Sequence, residues 1–282
     1  LVPYMSGSNE YKSKPTQHSV KELQSIGIAP NIIVARCDVK IAQSIKDKIA
    51  LFCNVKRDCV IENVTLPILY QAPVAFEESN LSEIICRELS LKCGKQDLKQ
   101  WMSMLSRAEN PKHNVKIALV GKYVQLQDAY LSVAESLKHG GYEKEANVVI
   151  VWVDSEKLSQ SNICKALDGC NGIIIPGGFG SRGFSGMLLA ANYARTKNIP
   201  FFGIGMGMSA ACVEFARNVL KLSDADSTEF NEKTKNPIII LNQANGSLAG
   251  GEMRLGAYGF NIKSGTLLER AYGAVEASER HR

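Results

Sequence analysis

The chain has 282 residues, 45% of them hydrophobic and 22% charged, with 23 Gly and 9 Pro. That length suits one or two domains of about 100–200 residues each, with enough apolar material for a sizeable core, which excludes disorder, collagen-like repeats and a small disulfide-stapled scaffold. The net charge of +5, from 33 basic and 28 acidic residues, is scattered along the chain. It indicates no nucleic-acid partner, and no apolar run reaches the ~20 residues of a membrane span.

The chain opens on Leu1-Val2-Pro3-Tyr4, without the basic start and apolar region of a signal peptide. Residue 1 is not an initiator Met and need not be the native start. Ser19 to Ile26 reads as an amphipathic helix with Val20, Leu23 and Ile26 on one face. Ile32–Ala35 and Ile49–Phe52 are short apolar runs of buried character. Residues 94–114 are polar and lysine-rich and hold a short helix around Leu98–Arg107; this stretch reads as the connection between two units. The eight cysteines, Cys37, Cys53, Cys59, Cys86, Cys93, Cys164, Cys170 and Cys212, form no C-x-x-C pair and no zinc spacing with histidine. They read as reduced core residues of a cytoplasmic protein.

From Val115 the pattern becomes regular. Val115–Gly121 is a strand, Asp128–Lys138 a helix stopped by His139-Gly140-Gly141, and Asn147–Val153 a second strand. Ser155–Leu167 is helical, Gly172–Pro176 a third strand running into Gly177–Gly180, and Phe184–Lys197 a helix. Ile199–Ile204 is a fourth strand and Met206–Leu220 the next helix; Pro237–Asn242 and Met253–Phe260 look like later, antiparallel strands. Continuous apolar strands alternating with helices give an α/β fold, a doubly wound parallel sheet covered on both faces. Ligands of such sheets bind at the carboxyl ends of the strands, where the glycines of this chain cluster.

Gly203-Ile204-Gly205-Met206-Gly207 joins a buried strand to a helix. A strand, G-x-nucleophile-x-G, helix arrangement is a nucleophile elbow, with the helix N-terminus aimed at developing negative charge. Here the central residue is Gly205, which has no nucleophile. Taken alone, such a corner is better explained by tight packing.

The neighbouring residues add a resemblance. Gly172–Gly183, Ala191–Met208, Val213–Val219, Asp226–Phe230 and Met253–Gly256 closely resemble the glutaminase domain of the CTP synthase family, and Ala118–Asp128 resembles its start. Lys12–Leu23, Ser25–Ile28 and Lys48–Val55 resemble the end of that family's synthetase domain. The resemblance implies a class I glutamine amidotransferase domain, flavodoxin-like, over 115–282, preceded by a linker at 92–114 and a partial P-loop-type α/β synthetase domain at 1–91. It implies ATP-dependent amination of UTP to CTP with glutamine as nitrogen donor, use of ATP and Mg2+, and a homotetramer.

Residue by residue, Gly178 matches the oxyanion and glutamine-binding position and Met206 the second N–H donor. Glu229 matches the carboxylate that holds the glutamine amino group; alone it would read as a surface acid. Lys12, Ser13, Lys14, Pro15, Thr16, Gln17 and Lys48 match positions on nucleotide phosphate or pyrimidine. Paired lysines supply mobile point charges to a triphosphate, although the same loop alone is a solvated turn with Thr16 or Ser19 capping a helix.

Three departures matter. The family's elbow cysteine is Gly205 here, and Cys212 lies seven residues further on, two turns into the helix. No histidine among His18, His113, His139 and His281 is followed by Pro-Glu, the family's triad motif. No Lys-bearing glycine loop precedes Lys12, so most ATP and magnesium groups are expected outside this chain. A smaller departure is Ala35 and Cys37 in Val-Ala-Arg-Cys, where the family usually reads Val-Cys-Arg-Ser. The chain is therefore expected to be inactive by itself, either as a fragment of a CTP synthase or as a non-catalytic paralogue that binds nucleotide or an active enzyme and regulates its assembly.

Overall fold

The computed structural model describes residues 1–92, 94–240 and 256–281. Cys93 and the expected strand residues at 241–242 and 253–255 lie outside them. In chain order the elements are β1 (Tyr4–Met5), β2 (Glu10–Tyr11), α1 (Lys14–Ser25), β3 (Ile33–Cys37), α2 (Gln43–Cys53), β4 (Val60–Val64), α3 (Ala72–Glu78) and α4 (Leu81–Glu88). Then follow α5 (Lys99–Glu109), β5 (His113–Gly121), α6 (Leu131–Glu143), β6 (Ala146–Asp154), α7 (Ile163–Ala166), β7 (Gly172–Ile175), α8 (Phe184–Thr196), β8 (Phe201–Gly203) and α9 (Met206–Asn218). The last are β9 (Asp226–Ser227), β10 (Pro237–Ile239), β11 (Gly256–Asn261), α10 (Leu267–Tyr272) and β12 (Glu276–His281).

In the first part, β3 and β4 pair in parallel, Ile33 opposite Val60 and Cys37 opposite Val64. Ile33, Ala35 and Cys37 alternate inward against Val20 of α1 and Ile49, Ala50 and Cys53 of α2. The other face packs Cys59 and Ile61 on Ile84, Phe76 and Leu81. Helix α1 starts at Lys14, five residues before the expected Ser19, because Pro15 suits a first turn, where no N–H is required. The Ile49–Phe52 run is helical: Ile49 and Ala50 are buried while Leu51 and Phe52 face outward, as a 100° step per residue demands.

The second part is a sheet of order β6-β5-β7-β8 with every pairing parallel. Ala118, Val120, Ile173 and Ile175 face Met187, Ala190 and Ala194 of α8 and Ala210 and Val213 of α9. Leu119 and Ile174 face the opposite layer, with Val133 and Leu137 of α6. Both faces are covered, so Ile117–Val120 of β5 and Ile173–Ile175 of β7 are unbroken apolar runs, and the sheet is doubly wound as the sequence indicates. Each fully buried Leu or Ile contributes about 1.5–3 kcal/mol to this sandwich.

Two helix expectations need correction. Helix α6 starts at Leu131, after a short 3-10 turn over Gln127–Tyr130, and runs through His139-Gly140-Gly141 to Glu143. Gly141 is there for close packing, since a Cβ on it would lie 2.6 Å from the Ala146 carbonyl oxygen. Within Ser155–Leu167 only the turn Ser155–Lys157 and the short helix Ile163–Ala166 are helical. Strand β11 is antiparallel as expected, its partner being β12, which was not singled out from sequence, whereas β10 pairs with β9 in parallel. No helix among the described residues is long and apolar enough to cross a membrane.

Candidate active site

The elbow lies where the parallel sheet ends. Chain direction reverses between β8 and α9, with Ile204 N–H donating to the Ile175 carbonyl at 2.9 Å. Gly205 takes φ 51 and ψ −106, a left-handed conformation that is strained for any residue with a side chain. Its neighbours are glycine for a different reason. A Cβ on Gly203 would sit 2.5 Å from the Gly207 carbonyl carbon, and one on Gly207 would sit 2.1 Å from the Ile175 oxygen. At Gly205 a Cβ would meet only the Gly177 Cα, at 3.8 Å. The turn therefore has room for a side chain at its centre and carries none.

Beside it lies the loop after β7. A Cβ on Gly178 would fall 3.2 Å from Lys122 Cε and 3.4 Å from Met206 Sδ, so Gly178, Met206 and Lys122 pack against one another beside the elbow. Met206 is buried as the first residue of α9. Lys122 is buried too, and its Nζ donates to the carbonyls of Phe179 at 2.6 Å and Gly180 at 3.0 Å. From the other side Glu229 Oε1 accepts from Gly180 N–H at 2.7 Å. Burial, then the nearby Arg182 charge, pulls the Lys122 ammonium below its ordinary range, against the pull of Glu229 and Glu156. Among the described residues no protein acceptor meets the N–H of Gly178 or Met206. Two amide donors, one from a loop and one at the start of a helix, can stabilise an oxyanion.

Lys122 and Tyr130 were not among the residues singled out from sequence. The Tyr130 hydroxyl accepts from the N–H groups of Lys122 and Tyr123, at 3.1 and 3.2 Å. Gly121 makes room for that ring, since a Cβ there would lie 2.6 Å from the hydroxyl. The signal for Lys122 was its place just past the carboxyl end of a central strand.

The nucleotide candidates sit around α1. Ser13 is its N-cap residue and accepts from Gln17 Nε2 at 3.0 Å, and Thr16 Oγ1 donates to the Leu1 carbonyl at 2.8 Å. Ser13, Thr16 and Gln17 are buried and committed to internal bonds, while Lys14, Pro15 and Lys48 are exposed. Lys12 pairs with Glu10, whose carboxyl is held low by that hydrogen bond and charge, with Lys48 adding to the pull. Of the two lysines only Lys12 is in ion-pair contact with Glu10. Among the described residues no three His, Cys, Asp or Glu side chains gather at a point where they could hold a metal ion.

A family model described as CTP synthase N-terminus matches residues 1–91, and one described as glutamine amidotransferase class-I matches residues 125–282. Curated CTP synthases of Halalkalibacterium halodurans and Symbiobacterium thermophilum are 49% and 51% identical to this chain over 284 and 288 residues. Each alignment covers 100% of this chain and 53% of the relative, so the chain spans about half the length of the curated relatives it matches. A solved structure, the Trypanosoma brucei CTPS glutaminase domain with bound acivicin, shares 38% identity at a TM-score of 0.55, covering 60% of this chain and 66% of that one. Two family models in succession along one chain, with CTP synthases aligned along all of it, carry the conclusion: the chain belongs to the CTP synthase family and has a class I glutamine amidotransferase fold in its second part.

Proposed function

We propose that this chain supplies the glutamine-binding side, and part of the nucleotide-binding side, of an ATP-dependent amination of UTP to CTP. In this reading residues 1–91 belong to the synthetase unit, 92–114 connect, and 115–282 form the glutamine unit. Glutamine enters beside Gly205, with its carbonyl oxygen toward the N–H groups of Gly178 and Met206 and its amino group toward Glu229. Lys12, Lys14 and Lys48 face the nucleotide phosphates; Ser13, Pro15, Thr16 and Gln17 shape the helix start that presents them. ATP and Mg2+ belong to this reading through the family; among the described residues no three His, Cys, Asp or Glu side chains gather to hold a metal ion. A tetramer remains the expected assembly.

The observation that carries the reading is the state of Gly205: an elbow with the strained φ, the flanking glycines and the open space of a nucleophile turn. Cleaving the glutamine amide by covalent catalysis needs a sulfur at that point. The donors remain, so the pocket binds glutamine and leaves its amide intact. The same residue favours a second reading, a non-catalytic paralogue that binds nucleotide or an active CTP synthase and regulates its assembly. A glutaminase assay on the chain tests the elbow assignment, with no glutamate above buffer expected; turnover would overturn it. Calorimetry with glutamine and with UTP separates a binding protein from an inert one.

A further inference from the structure

The junction between the two parts is built around one tyrosine. Tyr70 lies in a 3-10 turn just after β4. Its hydroxyl donates to Glu135 Oε2 at 3.0 Å and also meets His139 Nε2. Its ring stands edge-on to those of His139 at 5.1 Å and Tyr142 at 6.1 Å, and Trp101 Nε1 donates to its carbonyl at 2.7 Å. Glu135, His139 and Tyr142 follow the i, i+4, i+7 spacing and form one face of α6. A carboxylate only accepts, so the Tyr70 proton goes to Glu135 and His139 Nε2 must donate to the tyrosine oxygen. Lys138 also holds Glu135, at 2.7 Å, and the Glu135 carboxyl stays below its usual range mainly for that reason, so the relay keeps its anion.

Helix α6 begins immediately after Tyr130, the residue whose hydroxyl fixes the backbone of Lys122 and Tyr123. Lys122 in turn fixes the Phe179–Gly180 carbonyls beside Gly178. We propose that Tyr70 is a positioning residue, which through α6 and Tyr130 sets the wall of the elbow pocket from the first part of the chain. Every link is a hydrogen bond or a single helix of 13 residues, which spans about 20 Å. That this wall receives glutamine rests on the reading above; the mechanical link does not.

Hydrogen exchange on the 282-residue chain tests it. Tyr70→Phe keeps the ring and removes the relay, and His139→Leu removes only the surface donor. Both should raise amide exchange in Lys122–Tyr130 and Gly177–Gly180 by about threefold to tenfold, as loss of a linked hydrogen bond does. Exchange in β3 should stay as in the parent. His139→Gln, which keeps a donor near the Nε2 position, should restore the parent rates. In a Trp152→Phe background the emission of Trp101 should shift with Tyr70→Phe and with His139→Leu. Exchange changes confined to residues 66–76, or spread evenly over the chain, would overturn the proposal; if Tyr70→Phe does not fold, the His139 pair still decides it. Glutamine calorimetry is a separate readout. No glutamine binding with the exchange pattern intact removes the glutamine reading and leaves the positioning role standing.

Discussion

Lys122 and Glu229 grip the same peptide from opposite sides: the ammonium takes the carbonyls of Phe179 and Gly180, and the carboxylate takes the N–H of Gly180. With both ends of that segment held, the preceding N–H of Gly178 keeps its direction. Preorganised donors of this kind matter because they need no rearrangement when a ligand's charge arrives. Lys122→Met retains the stem and removes the ammonium, leaving two carbonyls without their donor. Glutamine binding should weaken by about tenfold, in line with a lost charge-assisted bond. Calorimetry on a variant shown to be folded by circular dichroism measures it; an unchanged Kd would remove Lys122 from the pocket wall.

The glycines of the elbow make opposite predictions. Gly207→Ala places a carbon where the Ile175 oxygen already sits, a backbone clash that no rotamer relieves. It should cost about 3 kcal/mol in denaturant unfolding. Gly205→Ala meets open space and pays only for its left-handed φ, about 1–2 kcal/mol. Gly205→Cys should behave like Gly205→Ala in stability, since its Cβ enters the same open space. Equal destabilisation at positions 205 and 207 would show that the turn is not built as described.

The sheet was legible in the sequence because both faces of β5 and β7 are buried, so Ala118-Leu119-Val120 and Ile173-Ile174-Ile175 read as unbroken apolar runs. The Ile49–Phe52 run looked similar, but a helix splits such a run between its faces, and Leu51 is 78% exposed. His139-Gly140-Gly141 read as a helix stop from local propensity; the contact of Gly141 with Ala146, distant from it in mechanism though near in sequence, overrides that. At the site, the spacing of Gly203, Gly205 and Gly207 was visible, since close backbone approach leaves a glycine signature. Lys122 was not: lysine is rarely buried, and only the folded loop supplies the two carbonyls that make its burial tolerable. The bonds of Thr16 to the Leu1 carbonyl and of Gln17 to Ser13 were not legible either, because they exist only once α1 has formed against the start of the chain.

Glu214 is the most deeply buried acid of the ion pairs, with 3% side-chain exposure. Its carboxylate accepts from Arg195, Asn192 and Asn218, at 2.8, 2.7 and 3.0 Å. Burial pushes its pKa up, and these three partners together more than reverse that, so the folded value lies below the ordinary one. The folded state then binds fewer protons than the unfolded chain, and the stabilisation is present above the ordinary glutamate range and lost as pH falls through the lowered value. Glu214→Ala should cost about 3 kcal/mol at neutral pH, the lower end of the buried-pair range because Arg195 can reach water. Glu214→Gln should be less stable than the parent at pH 7, with the gap closing as the pH falls through the carboxylate range. Urea titrations across that range would show parallel lines for the two proteins if Glu214 carried no such charge.

Around α1, the ion pair of Lys12 with Glu10 sets up a ranking. Lys14 is exposed and, among the described residues, has no acidic partner, whereas Lys12 is engaged by Glu10. A triphosphate arriving there would meet Lys14 directly and would compete with Glu10 for Lys12. Lys14→Ala should therefore weaken UTP binding by about fivefold, Lys12→Ala by less, and Glu10→Gln should tighten it by freeing a cation. All three effects should shrink as salt is raised, since the groups are solvent-exposed. The same UTP affinity in Lys14→Ala and in the parent, or weaker binding in Glu10→Gln, would place the nucleotide phosphates elsewhere on the chain.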